Sequence, residues 1–231
     1  MTVAKRWLII AAVILVIVVA AEVALSQIVS NAVAQGMNSL APSEKVSAKV
    51  TKSPAIAMLG GSFDLVALDT VNTRIDKIVF GEMHTTLKEV QLDRERLFLR
   101  REIAVETVQD INLTAVLTQE ELARYINQNV KGVKNAQVTI THGKVQAGSQ
   151  LSLGGIASLA VTLDGKVISD GTRIKFVTDR FLINNSSVGN IGGAMLTEIP
   201  LVELKNLPFG VTVKNIVMEN GRVTISADNK K

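Results

Sequence analysis

The chain has 231 residues, carries a formal net charge of +4 and contains no cysteine. The absence of cysteine excludes a disulfide framework, a thiolate metal site and a cysteine nucleophile. The mild charge, without a dense Lys/Arg stripe or interleaved aromatics, argues against nucleic acid as a partner.

An apolar run at the N-terminus predicts a membrane-spanning helix. Residues 7–21 carry no charge, and with Glu22 at its edge the run continues to Leu25, giving 19 residues. A helix of that length extends roughly 28 Å, close to the thickness of the hydrocarbon core. Lys5 and Arg6 precede it, so the positive-inside rule places the N-terminus in the cytoplasm and the rest of the chain outside.

We therefore expect residues 1–25 to form a cytoplasmic tip and an anchor in the cytoplasmic membrane, followed by one extracytoplasmic domain over residues 26–231. The alternative is a cleaved signal peptide, because Val19 and Ala21 make a passable small-residue cleavage site. The anchor is favoured because the apolar run is long enough to span the bilayer.

The segment Ser26–Leu40 predicts a helix that continues from the span and stops before Pro42. A proline disfavours the helical conformation for the residue that precedes it. Its apolar stripe is expected to pack on the following sheet, or alternatively to lie on the bilayer surface. The stripe consists of Ile28, Val29, Ala32, Val33, Met37 and Leu40.

From Lys45 onward, alternating polar and apolar residues predict antiparallel strands that are buried on one face. Three repeats of the pattern x-Gly-basic-Val, at His142-Gly143, Asp164-Gly165 and Asn220-Gly221, predict hairpin turns. The clearest alternating runs are Lys45–Thr51, Val138–His142, Ser158–Leu163, Arg173–Thr178 and Arg222–Ala227.

Two helices are predicted among these strands. Thr118 and Glu121 form a capping box, in which each side chain accepts a free backbone N–H at the start of a helix. Leu122, Tyr125, Ile126 and Val130 then form its apolar face, with Gly132 as a possible stop. A weaker pattern over Ser187–Ile199 predicts a second helix that ends at Pro200.

No catalytic or metal-binding constellation is evident. His84 and His142 are far apart in sequence, and no nucleophile, nucleotide-binding or metal-ligand motif occurs. The charged stretch Leu92–Glu102 is mixed in sign, so we interpret it as a solvated turn covering Leu97, Phe98 and Leu99, with docking to anionic headgroups as the alternative. We expect no catalytic residue, no metal and no cofactor.

Three apolar segments interrupted by glycines are the candidate ligand-binding elements. Methionine and aliphatic side chains adapt to acyl chains, and such surface is unusual in connections unless it is buried or meets an apolar ligand. The alternative is an ordinary packed core with glycines at turns and bulges. The candidate lipid-binding residues are Met58, Leu59, Phe63, Leu151, Leu153, Ile156, Ile191, Met195 and Leu196.

Three stretches share their order and spacing with a known family. They are Pro54–Gly61 leading into Phe63–Thr70, the helix entry Leu117–Leu122, and the ending Leu207–Val211 followed by Asn220–Ile225. In these stretches, within about residues 27–228, the chain resembles the LmeA-like phospholipid-binding family of exported bacterial proteins, which belongs with the tubular lipid-binding (TULIP-like) domains.

The resemblance implies an α+β fold in which a long, curved antiparallel sheet wraps against helices and encloses an elongated apolar cavity for acyl chains. It implies a phospholipid or related acyl lipid as partner and no active site. With the anchor, it predicts lipid binding or transfer at the outer face of the cytoplasmic membrane. One alternative is a non-catalytic scaffold that pairs with another envelope protein through a sheet edge. Another is a hydrolase or transferase acting on a lipid-linked substrate.

We predict that residues 7–25 remain attached in the mature protein, because the run is long enough to span the membrane and its cleavage site is only passable. Intact-mass measurement of protein from native membranes tests this. A mature N-terminus near Glu22 would show instead that the segment is a signal peptide.

Overall fold

The computed structural model describes residues 3–130, 133–153, 157–184, 186–187 and 198–230. Two α-helices and twelve strands make up the regular structure of these residues, together with short 3₁₀ and π-helical turns. In chain order the helices and strands are α1 (Val3–Leu40), β1 (Lys45–Thr51), β2 (Ser62–Ile75), β3 (Ile78–Leu92), β4 (Val105–Thr118), α2 (Gln119–Asn129), β5 (Val133–Thr141), β6 (Lys144–Leu153), β7 (Ala157–Ser169), β8 (Arg173–Ile183), β9 (Ser186–Ser187), β10 (Glu198–Glu203), β11 (Thr212–Glu219) and β12 (Arg222–Asp228).

The strands form two six-stranded sheets, so the expected mixture of helices and antiparallel sheet is confirmed. The first sheet has the order β1-β2-β3-β4-β12-β11. The second has the order β10-β8-β7-β6-β5, with β9 paired to β8. Each pairing within the second sheet is antiparallel. Bulges interrupt the register of β5, β10 and the β7–β8 pair, and bulges bend strands and increase their twist.

The chain divides into two compact units. The first contains residues Met1–Leu40, Val46–Leu68 and Thr86–Asp110, and the second contains Ala41–Lys45, Asp69–Thr85 and Ile111–Lys231. Each unit has its own buried apolar side chains, which is the minimum that a stable unit requires. In the first unit they include Val33, Met37, Met58, Phe63, Leu87 and Leu97, and in the second Phe80, Leu122, Val145, Phe176, Val202 and Ile225.

Helix α1 continues without a break from the apolar run to Leu40 and ends before Pro42, as the sequence predicts. Four residues of the expected stripe, Val29, Ala32, Val33 and Met37, are buried, whereas Ile28 and Leu40 are exposed. The Ser30 hydroxyl accepts a hydrogen bond from the backbone N–H of Val50 at 3.2 Å. The stripe therefore packs within the first unit, and its two ends do not take part.

The N-terminal half of α1 carries exposed apolar side chains, among them Trp7 and Val23, each 68% exposed. Across the part of the chain that the structure describes, no helix was found to be both long and apolar enough to cross a membrane. The described residues therefore do not support the transmembrane part of the expected fold class.

The charged stretch forms a π-helical turn over Arg96–Arg100. Leu97 is fully buried beneath it, as expected, but Leu99 is 77% exposed, so the prediction that this side chain is covered was wrong. The Asp93 carboxylate accepts the Arg96 N–H at 3.0 Å, which satisfies a backbone donor at the start of the turn.

The hairpin predicted at Asp164-Gly165 does not exist, although those at Gly143 and Asn220-Gly221 do. Both residues lie inside β7, next to a bulge in its pairing with β8. Asp164 is buried and accepts hydrogen bonds from Lys144 Nζ and Gln146 Nε2, both at 2.8 Å. Burial raises the pKa of its carboxyl group, but the hydrogen bonds from Lys144 and Gln146 outweigh burial and hold the pKa below its usual value. Long-range pairing thus overrides the local turn signal.

The second predicted helix, over Ser187–Ile199, lies mostly outside the described residues. Its last residue, Ile199, is buried in strand β10, and Pro200 continues that strand instead of ending a helix. Strand β10 is at the edge of the second sheet, where a proline, which has no N–H to donate, is tolerated.

The start of α2 gives the first stability prediction. Thr118 Oγ1 accepts the Glu121 N–H at 3.3 Å, so Thr118→Ala removes this cap and should cost about 1 kcal/mol of unfolding free energy. Thr118→Ser keeps the hydroxyl and is the control. Denaturant unfolding measures both, and an unchanged midpoint in Thr118→Ala would contradict the capping role.

The second stability prediction concerns Gly165. A Cβ atom at this position would lie 2.0 Å from the Val177 carbonyl oxygen, so Gly165→Ala should destabilise the protein by about 1–3 kcal/mol through overpacking.

Gly148→Ala in the neighbouring strand β6 is the matched control, because a Cβ there meets no atom within 4 Å. Thermal unfolding of the two variants should separate them clearly. Equal midpoints would show that β7 and β8 do not approach as closely as described.

Candidate functional site

Helix α2 covers part of the second sheet with an apolar face. Leu122, Tyr125 and Ile126 are buried, as the helical spacing of the sequence predicts. The capping box is only half formed: Thr118 accepts the Glu121 N–H, but the Glu121 carboxylate pairs with Arg124. The helix ends at Asn129, where Val130 N–H bonds to the Ile126 carbonyl at 3.0 Å, so it stops before the glycine that the sequence suggested.

Asn127 fastens α2 to a bulge in strand β5. The β5–β6 register shifts between Lys134 and Gln137, so Ala136 falls where the regular ladder is interrupted. The Asn127 side chain replaces that ladder, because its Oδ1 accepts the Ala136 N–H at 2.8 Å and its Nδ2 donates to the Ala136 carbonyl at 3.3 Å. Both backbone groups are thereby satisfied, which avoids about 1–3 kcal/mol for each buried group left unpaired.

A narrow crevice lies between α2 and the second sheet. None of the residues that line it is ionisable, and one of them carries a hydroxyl group. It encloses about 330 Å³, part of it open to solvent, but is wide enough for only about one water molecule. Its lining residues, here called the apolar crevice, are Ile126, Val130, Val133, Ala136, Ala147, Ser149, Val161, Leu163 and Ile199.

None of the sequence-predicted lipid-binding residues whose side chains the structure describes lines this crevice. Met58 and Phe63 are buried in the first unit, and Leu59 is 46% exposed. None of these three lines the crevice. Leu151 and Leu153 continue strand β6 beyond Ser149, with Leu151 paired to Val133 and Leu153 to Ala157. Their side chains, like the whole of Ile156, Ile191, Met195 and Leu196, lie outside the described residues.

Four of the nine crevice residues have a signal in the sequence, which predicts an apolar helix or strand face but not a ligand site. Ile126 and Val130 belong to the predicted apolar face of α2, and Val161 and Leu163 belong to a predicted alternating strand. Ala136 had no such signal, because its position depends on the bulge in β5 and on Asn127.

A second concave region, here called the polar groove, lies along α2 and the β2–β3 turn. It encloses about 710 Å³, part of it open to bulk solvent. Asp76 in this turn accepts a hydrogen bond from Asn206 Nδ2 at 2.7 Å. Its lining residues are Arg74, Asp76, Lys77, Val79, Glu121, Arg124, Tyr125, Gln128 and Asn129.

Tyr125 belongs both to the buried face of α2 and to the polar groove. Its hydroxyl donates a hydrogen bond to the Pro200 carbonyl oxygen in β10. Burial raises the pKa of this phenol, and the negative charge of Asp76 adds to the effect. The hydroxyl therefore stays protonated and remains a donor at neutral pH.

The histidines lie elsewhere on the surface. His84 Nδ1 is 2.5 Å from Asp69 Oδ1, and both side chains are more than half exposed. His142 is exposed in the β5–β6 turn. In the described part of the chain, no group of three or more His, Cys, Asp or Glu side chains is arranged to hold a metal ion.

Comparison with known proteins identifies the family. A family model described as LmeA-like phospholipid-binding matches residues 20–228. Neither the curated proteins nor the solved structures gave a match. The family model covers α2, the described strands of both sheets and all residues of the apolar crevice. This chain therefore belongs to the LmeA-like phospholipid-binding family.

Proposed function

We propose that this protein binds phospholipid and shields an acyl chain in the apolar crevice between α2 and the second sheet. The observation that carries the proposal is the family match over residues 20–228, which includes every residue of the crevice. The fold alone does not identify a ligand, because one fold hosts many functions. The family and the chemistry of the crevice together point to an acyl lipid.

The walls of the crevice suit an aliphatic chain. Eight of its nine lining residues are aliphatic, and Ser149 is the exception. Moving a methylene group from water to such surroundings is favourable by roughly 0.8 kcal/mol, so each methylene that the crevice shields stabilises the bound lipid relative to its exposure to water. No lining group would leave a charge facing the chain.

Binding requires the crevice to widen, since it now holds only about one water molecule. Among the described residues, the side-chain hydrogen bonds that link α2 to β5 and β10 come from Gln119, Asn127 and Tyr125. We propose that α2 moves away from the sheet as the acyl chain enters the crevice. Contacts of the acyl chain with the crevice residues then replace the contacts between α2 and the sheet.

We also propose that this binding takes place at the cytoplasmic membrane, with the N-terminus inside, the remaining chain outside, and lipid handed over at the membrane surface. Lys5 and Arg6 ahead of the apolar run support this orientation. The exposed apolar side chains of α1 between Trp7 and Val23 support membrane insertion, because so much exposed apolar surface is unfavourable in water. We propose a binding or transfer role without catalysis, in keeping with a lipid-binding family.

A polar substitution in the crevice should weaken lipid binding more than folding. Val161→Asn places an amide against the bound chain, at a cost of roughly 1–3 kcal/mol, so bound lipid should fall about tenfold. The measurement is bound lipid per mole of purified protein, by native mass spectrometry and solvent extraction, together with the thermal midpoint.

Val145→Asn is the matched control. Val145 is also fully buried and lies in the adjacent strand β6, but it does not line the crevice. This variant should lower the thermal midpoint and leave the lipid bound per folded molecule unchanged. Parallel loss of lipid in both variants would locate binding elsewhere, and a parent protein without lipid in every membrane extract and reconstitution would contradict the proposed function.

A further inference from the structure

The two carboxylates of the polar groove, Asp76 and Glu121, both have hydrogen-bond or ion-pair partners within the protein. Asp76 already accepts hydrogen bonds from Asn206 Nδ2 and, at 3.5 Å, from the Glu203 N–H. Glu121 is paired with Arg124 on the same helix. Both carboxylates of the groove are thus engaged by groups of the protein itself.

Two cations of the groove have no such partner. Arg74 and Lys77 are exposed, and within the described ranges no carboxylate lies at salt-bridge distance from either side chain. They lie on the two sides of Asp76 at the β2–β3 turn, facing a concave volume of the size that small ligands occupy. A guanidinium offers two parallel N–H donors that match the oxygens of a phosphate, and an ammonium adds a point charge.

The groove and the apolar crevice lie on neighbouring faces of the same helix. Tyr125 and Asn129 line the groove, while the next residues along the chain, Ile126 and Val130, line the crevice. Successive helical residues differ by about 100° in direction. The same neighbourhood occurs on β10, where Pro200 receives the Tyr125 hydroxyl and Ile199 lines the crevice.

This arrangement matches the chemistry of an amphiphile, because a phospholipid carries its anionic phosphate a few bonds from its acyl chains. We propose that the polar groove binds the phosphate of the lipid headgroup through Arg74 and Lys77, an assignment that rests on the proposed lipid binding in the crevice. Three cations, Arg74, Lys77 and Arg124, and two carboxylates, Asp76 and Glu121, line the groove. Because this balance is positive, the site prefers headgroups with net negative charge to those in which a cationic group neutralises the phosphate.

The test compares the full chain with Arg74→Gln/Lys77→Gln in detergent micelles that contain equal amounts of phosphatidylglycerol and phosphatidylcholine. Native mass spectrometry counts the bound lipids of each class. We expect the parent to be enriched in phosphatidylglycerol and the double variant to lose that enrichment by about tenfold. Total bound lipid should change little, because the crevice is intact, and the thermal midpoint should be unchanged, because both side chains are exposed.

Lys49→Gln/Lys88→Gln is the control. It removes the same charge from two exposed residues of β1 and β3, and it should keep the preference of the parent. If this control lost the preference for phosphatidylglycerol to the same extent, the net charge of the protein would explain the loss, and the inference would be overturned. The single variants Arg74→Gln and Lys77→Gln replace the double variant if the latter has a lowered midpoint, and each should show part of the loss.

The remaining outcomes separate this inference from the proposed function. Lipid bound by parent and groove variant with the same headgroup ratio would overturn the groove assignment and leave lipid binding intact. A parent that binds no lipid would overturn the proposed function itself. A parallel titration with inorganic phosphate identifies the source of the phosphate. Saturable phosphate binding that is lost in the groove variant, with an unchanged lipid ratio, would make the groove a site for free phosphate instead.

Discussion

Helix α2 can bury its apolar face on the second sheet only if the polar backbone groups at that contact find partners. Thr118 accepts a backbone N–H at the start of the helix, Asn127 satisfies both backbone groups of Ala136, and the Tyr125 hydroxyl reaches the Pro200 carbonyl. Each such group would otherwise cost about 1–3 kcal/mol when buried. These contacts leave the space between helix and sheet lined almost entirely by aliphatic side chains.

The bulge in strand β5 serves the same contact, and a second bulge lies between β7 and β8. In β5 the bulge interrupts the ladder at Ala136, which both bends the strand and makes its backbone available to Asn127. In β7 the close approach to the Val177 carbonyl admits only a glycine at position 165. The buried carboxylate of Asp164 beside it is stabilised by Lys144 and Gln146.

Because the crevice and the groove share α2, the proposed lipid site has two parts that respond to one movement. An acyl chain that moves α2 away from the sheet also displaces Arg124 and Tyr125 relative to the β2–β3 turn. Arg74 and Lys77 lie at this turn. Chain occupancy and headgroup contact are therefore expected to be coupled through the position of the helix. In the described part of the chain, the side-chain hydrogen bonds that connect α2 to β5 and β10 come from Gln119, Asn127 and Tyr125, and the proposed movement would break them.

Local signals in the sequence were sufficient wherever the backbone conformation has a local cause. The end of α1 before Pro42, the cap at Thr118, the strand Lys45–Thr51 and the turn at Asn220-Gly221 are all of this kind. The family resemblance, carried by the order of such features, is confirmed by the match over residues 20–228. A residue's own φ preference or its nearest neighbours explain each of these successes.

Only the tertiary structure decided those conformations and contacts that depend on residues far away in the sequence. Asp164-Gly165 has the residues of a hairpin turn, yet pairing with β6 and β8 on both sides keeps it inside a strand. That Met58 and Phe63 are buried in the first unit is likewise visible only in the structure. Ala136 reaches the crevice through a bulge and a side chain of α2. The sequence determined which residues are apolar and where elements begin, whereas long-range pairing decided which apolar faces meet, because hydrophobic burial itself is non-directional.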